Sequence, residues 1–135
     1  SVRPERHSYP ILKKNMEFVI NLTTKEMAYA TDWCGVRSGK NFNKFEEMHL
    51  TPGKASIVQA PIIEESPLCI ECRIKEIISL GSHDMFIADV VNVKADEKYW
   101  IPIQESSIWL SQTYWFMHMG DIMKWAKKSV NSVGL

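Results

Sequence analysis

The chain has 135 residues, 45% of them hydrophobic, which suffices for one domain with its own core and sets a single unit over residues 1–135 as the expectation. Sixteen Lys and Arg balance sixteen Asp and Glu, which argues against a broad electrostatic footprint for nucleic acid or an anionic membrane, so any phosphate site must be local. No apolar run approaches the ~20 residues of a membrane span, no leader pattern opens the chain, and three cysteines suit reduced thiols, so a cytoplasmic protein is expected.

Ser8 stands ahead of Pro10, Ile11 and Leu12. A hydroxyl that can cap, followed by an early proline, predicts a short helix over 8–15, because proline lacks a donor that the first turn leaves unpaired anyway. Residues 17–22 (Glu-Phe-Val-Ile-Asn-Leu) are β-branched and aromatic and read as a buried strand. Thr23 and Glu26 have capping-box spacing, which predicts a second helix over 24–34 with Gly35 as its left-handed closing residue. Residues 35–44 form a polar loop leading into a short helix at 45–49.

Thr51-Pro52-Gly53 is a turn signal, and from there the chain turns β-rich, with strands expected over 55–60, 68–80 and 83–94. Gly81-Ser82 separates the last two, so they should form a hairpin. The in-out alternation that begins at Leu68 slips at Glu76-Ile77-Ile78, where a bulge of the kind found at barrel corners would restore it. Residues 120–128 place Ile122, Met123 and Ala126 three and four apart, as in an amphipathic helix.

Three constellations carry chemistry. Ser1 to Ser8 combine Arg3 and Arg6 with two hydroxyls and a helix start, the materials of a phosphate cradle: guanidinium groups grip phosphate bidentately while hydroxyls and free helix amides complete the shell. Composition alone favours a solvated, charged terminus with a capped helix. The loop Ser38-Gly39-Lys40, with Lys44 after it, reads from physics as a surface feature, and the hairpin residue His83 suits a structural hydrogen bond to backbone and a functional role equally. Cys69 and Cys72, three apart on a strand, point to opposite faces, so they share no metal and no disulfide, and no metal site is expected. The aromatic cluster Trp109, Tyr114, Trp115 and Phe116 suits a core or an interface.

The string Ser-Val-Arg-Pro-Glu-Arg-His-Ser, followed by Glu-Phe-Val-Ile-Asn-Leu, resembles the flavoredoxin-type branch of the flavin-reductase-like FMN-binding split-barrel family. The resemblance continues through Ser38-Gly39-Lys40 with Lys44-Phe45, and through Gly81-Ser82-His83 with Asp84 to Val90. There, Ser82 stands where the family carries an acid, and Ala88-Asp89 stand where it carries Gly-Glu. It implies a mainly β fold, a split β-barrel with peripheral helices, opening downstream of the family's first strands. It also implies a homodimer with noncovalent FMN near the subunit boundary.

By the same resemblance, Ser1, Arg3, Arg6 and Ser8 would lie on the FMN phosphate. Asn21 and Ser38, Gly39 and Lys40 would lie near the ribityl chain or ring, Lys40 and Lys44 would supply positive charge, and His83 would face a nicotinamide. No side chain is expected to act as a catalytic acid or base, since the cofactor carries the reaction. The implied activity is an NAD(P)H-dependent flavin reductase passing electrons to a small molecule or a protein. The alternatives are a flavoredoxin-like electron-transfer protein with no reductase activity of its own, or a degenerate dimerisation module.

Overall fold

A computed structural model describes residues 1–97. The expected helix at 120–128 and the aromatic cluster of Trp109, Tyr114, Trp115 and Phe116 lie outside the described residues. Helix α1 (Ser8–Asn15) leads into strand β1 (Glu17–Asn21), then helices α2 (Ala28–Val36) and α3 (Lys44–Glu47). Two short strands, β2 (Pro52–Gly53) and β3 (Ile62–Ile63), precede the long hairpin of β4 (Leu68–Ser79) and β5 (Asp84–Ala95). Strands β1, β4 and β5 form an antiparallel sheet with β4 in the centre, and β2 pairs with β3 in a second, two-stranded sheet. Among the described residues no helix is long and apolar enough to cross a membrane.

The central strand divides the core in two because its side chains alternate between faces. On one face, Leu68, Ile70 and Cys72 join Val93 with Phe18 and Leu22 packed against them. On the other, Cys69 packs with Ala55, Val58 and Ile62 under the loop that connects the short strands. The two thiols therefore sit in different clusters, as their spacing predicts, and burial pushes both up from the ordinary thiol range. Ile62, 1% exposed, anchors the second cluster, and burying such a side chain is worth roughly 1.5–3 kcal/mol.

Two register shifts bend the hairpin, one between Glu71 and Cys72 and one between Ile74 and Glu76. The second falls just ahead of the slip expected from the sequence; the first leaves Val91 as an extra residue on β5 and breaks no alternation on β4, so β4 gave no warning of it. Gly81 closes the turn at φ 86°, a left-handed conformation that glycine enters without a Cβ clash.

Several local expectations give way to tertiary contacts. Helix α2 starts at Ala28, since Met27 N donates to Thr24 O and Ala28 N to Lys25 O, so a tight turn occupies residues where the capping box would have begun the helix. Gly35 lies inside the helix, which closes on extended Arg37 at φ −103° and needs no left-handed residue. Helix α1 begins at Ser8 itself, with His7 as the flanking residue and no side-chain cap. The short third helix covers Lys44–Glu47 rather than 45–49, with His49 in the left-handed region at φ 52°.

The expected strand at 55–60 is a loop, and the expected turn at Pro52-Gly53 is half of the small sheet. The cause lies across the molecule, in Glu71. Its carboxylate accepts hydrogen bonds from the amides of Ser56 (2.9 Å), Ile57 (2.7 Å) and Val58 (3.1 Å) and from Asn92 Nδ2 (2.8 Å). Donors gathered on one carboxylate cannot also face a neighbouring strand. Glu17 holds the next amide, Gln59 N, at 2.6 Å, so the loop is fastened along its length to one face of the sheet.

Candidate functional site

The N-terminal segment is the point on which the sequence constellations converge. Val2 forms a β-bridge with Asp84, its amide donating to Asp84 O at 2.9 Å and accepting from Asp84 N on its carbonyl at 3.0 Å. This brings the segment against the hairpin end that carries His83. At the segment's other side, His7 lies against Gly39: a Cβ there would come within 3.3 Å of His7 Cδ2, so the close approach favours glycine. The opening segment, the Ser38-Gly39-Lys40 loop and the hairpin are thus neighbours in space although 30 to 80 positions separate them in the chain.

Within the segment, Arg6 N donates to Arg3 O and Tyr9 N to Arg6 O, both at 3.0 Å, winding residues 3–9 into successive turns that run into α1. Arg3, Arg6 and Ser8 are exposed, and among the described residues neither guanidinium forms a hydrogen bond or an ion pair. Two unpaired guanidinium groups beside a helix start can take a phosphate without first giving up a partner. The facing loop is also ordered: Ser38 Oγ accepts from Lys40 N at 3.2 Å, and Ser38 O accepts from the amides of Asn41 and Phe42. Trp33 meets Phe42 edge to face with ring centroids 5.4 Å apart, and Arg37 lies over Phe42, so the loop is braced from α2.

The other residues singled out from the sequence have partners of their own. Asn21 Oδ1 accepts from Ile63 N at 2.9 Å, joining β1 to β3. Lys44 Nζ donates to Cys34 O near the C-terminal end of α2, where a cation also complements the helix dipole. His83 is half-buried, with Ser82 Oγ at 3.0 Å from its Nδ1. Among the described residues no group of three or more His, Cys, Asp or Glu is arranged to hold a metal ion.

Two residues that the sequence did not single out complete the arrangement. Tyr9, on α1, donates its hydroxyl to Asp84 Oδ2, and its ring meets Phe86 edge to face at 5.9 Å. The hydrogen bond to Asp84, with burial and the carboxylate's charge behind it, pushes the Tyr9 phenol up; the same bond holds the Asp84 carboxyl below the usual range, against the opposing effect of burial. Nothing local pointed to this pair, whose members lie 75 positions apart.

Residues 1–102 match the model of the flavin reductase like domain. The chain belongs to that family. An uncharacterised protein of Archaeoglobus fulgidus is 30% identical over 88 residues, which cover 65% of this chain and 50% of that protein. Among solved structures, the flavoredoxin of Desulfovibrio vulgaris (Miyazaki F) superposes with a TM-score of 0.68 at 30% identity, over 73% of this chain and 52% of that one. An FMN-binding protein from Thermus thermophilus, solved with bound p-hydroxybenzaldehyde, superposes with a TM-score of 0.63 at 26% identity, over 72% of this chain and 53% of that one. The fold is accordingly the mainly β split barrel expected from the sequence, and the chain spans about half the length of the relatives it matches.

Proposed function

We propose that the chain is an FMN-binding flavoprotein acting as an NAD(P)H-dependent flavin reductase, with the FMN phosphate held by the N-terminal segment. The observation that carries this reading is the convergence of Arg3 and Arg6, exposed and without partners among the described residues, with the Ser38-Gly39-Lys40 loop, docked through His7 on Gly39. Ser1, Arg3, Arg6 and Ser8 would bind the phosphate as charge-assisted and hydroxyl donors. Ser38, Gly39 and Lys40 would lie near the ribityl chain or ring, with Lys40 supplying one ammonium. Asn21 would lie near the ribityl chain or ring and Lys44 would supply positive charge; Asn21 Oδ1 and Lys44 Nζ also brace the neighbouring strand and helix through Ile63 N and Cys34 O. His83 borders the face on which a nicotinamide would dock.

Bound FMN supplies hydride and electron transfer between NAD(P)H and an acceptor, a small molecule or a protein; the chain supplies grip, orientation and electrostatics. The reading includes a homodimer with the flavin near its boundary and a single domain over 1–135. Ile20 and Val90, 44% and 42% exposed, support the dimer as apolar surface that a second copy would cover.

A second reading, an electron-transfer flavoprotein that oxidises no nicotinamide itself, is favoured by one feature: Ser82, not an acid, stands beside His83 and occupies its Nδ1 side. Titration with FMN, followed by quenching of flavin fluorescence, tests the shared part; a protein that quenches nothing ends both readings. Adding NADH or NADPH to the loaded protein without other reductases separates them. Loss of the visible flavin absorbance is expected for the reductase, and a persistent yellow colour leaves the carrier. Light scattering at the mass of one chain would overturn the dimer.

A further inference from the structure

The six residues 3–8, which carry Arg3, Arg6 and Ser8, are closed into a loop whose two ends are fastened to the same residue. At one end Val2 exchanges two backbone hydrogen bonds with Asp84, at 2.9 and 3.0 Å. At the other, Tyr9 donates its hydroxyl to Asp84 Oδ2. Asp84 is 9% exposed, and the Tyr9 ring is steadied by the edge of Phe86 and by Lys13 above its face at 5.4 Å. Asp84 also directly follows His83 on the hairpin, so one carboxylate links the phosphate segment to the strand that carries the candidate nicotinamide residue.

Fixing both ends of a short loop restricts the positions that its side chains sample, and a site held in its binding geometry before the ligand arrives loses less entropy on binding. The backbone bridge through Val2 would survive any side-chain change at Asp84; the Tyr9 arm would be lost with the side-chain acceptor. That arm fixes the start of α1, where Ser8 lies.

We propose that Asp84, acting through Tyr9, is a positioning residue that holds the Arg3–Ser8 segment in its phosphate-binding geometry. The inference rests on the phosphate reading given above. It predicts a defect specific to the phosphate and silent toward the flavin ring, which a merely structural role would not produce.

The test compares FMN with riboflavin, which lacks the phosphate, by fluorescence titration of the full chain and of Tyr9→Phe and Asp84→Ala. Tyr9→Phe keeps the ring against Phe86 and removes only the donor. In both variants the preference for FMN over riboflavin should fall about tenfold while riboflavin affinity stays level, the scale of one charge-assisted hydrogen bond lost from a preorganised site. The double variant should lose no more than either single one. If FMN and riboflavin weaken together, or if neither changes, the proposal is overturned while the phosphate reading stands. If the unaltered protein binds both ligands equally, the phosphate reading fails and this inference with it. Circular dichroism checks folding, and should Asp84→Ala unfold, Tyr9→Phe alone decides.

Discussion

The loop 55–58 and the segment 3–8 are both irregular backbone beside the same sheet, but they dispose of their polar groups in opposite ways. In the first, Ser56, Ile57 and Val58 turn consecutive amides inward onto Glu71, a carboxylate 1% exposed that also receives Asn92. In the second, the backbone satisfies itself through Arg6 to Arg3 and Tyr9 to Arg6, and the Arg3 and Arg6 side chains are exposed and, among the described residues, without partners. Polar groups turned in and fully paired build a scaffold; cations left outward on an ordered backbone remain available to a ligand. The difference separates two roles: a carboxylate 13 to 15 positions away holds the first segment, and the second turns its own charges outward.

The largest effect should come from breaking the scaffold. Glu71→Ala leaves three amides and an Asn92 donor facing a cavity, and removing one partner of a buried charged cluster costs about 3–5 kcal/mol. Denaturant unfolding would show it as a lower midpoint. A variant within 0.5 kcal/mol of the unaltered protein, about the range of ordinary surface substitutions, would mean that Glu71 holds nothing.

The same carboxylate sets an acid limb. Burial opposes the charge of Glu71, but the hydrogen bonds from Asn92, Ser56, Ile57 and Val58 outweigh it and hold the group below its ordinary value of 4.5. In this region of pH the unfolded chain takes up the proton more readily than the folded one, so the contribution is fully present above about pH 4.5 and is lost as the pH falls through the folded value. Glu71→Gln should have a lower plateau at neutral pH and a shallower decline between there and pH 3, the range where carboxylates titrate. Thermal melts across that range read both features, and an unchanged slope sinks this assignment of the limb.

A smaller effect is expected at Gly53, where the two short strands meet. A Cβ would lie 2.0 Å from Glu64 Oε1 and 2.8 Å from Ile62 Cγ1. Glu64 is a flexible side chain, although Lys94 holds it at 2.8 Å; Ile62, at 1% exposure, has little room to yield. Gly53→Ala should therefore destabilise by about 1–3 kcal/mol, the usual cost of overpacking, read as a shifted unfolding midpoint. No shift would show that the close approach is easily relieved.

How much of this was legible in the sequence follows from how far apart the determining groups lie. The long hairpin was readable because strand alternation and Gly81 are local signals: expected over 68–80 and 83–94, it forms as Leu68–Ser79 and Asp84–Ala95. The strand expected at 55–60 was not, because its β-branched composition is overridden by a carboxylate 13 to 15 positions away. For the site, the residue types at Arg3, Arg6 and the Ser38 loop were visible, but their meeting depends on His7 reaching Gly39 and Val2 reaching Asp84, contacts with no periodicity to announce them. Asp84 itself reads as an ordinary strand-start residue until Tyr9 is found on it.

The smallest expected change in stability falls where a large change in ligand binding is expected. Arg3→Ala and Arg6→Ala remove side chains that are exposed and, among the described residues, bond to nothing, so each should shift unfolding by less than about 0.5 kcal/mol. Each should nonetheless weaken FMN about tenfold, since a guanidinium that meets a phosphate contributes a charge-assisted pair. The contrast sharpens if both parts hold. It breaks if either arginine variant loses stability on the scale of Glu71→Ala, because its guanidinium would then be engaged within the fold and not held out for a ligand. Paired unfolding and FMN titrations on the same preparations decide between these outcomes.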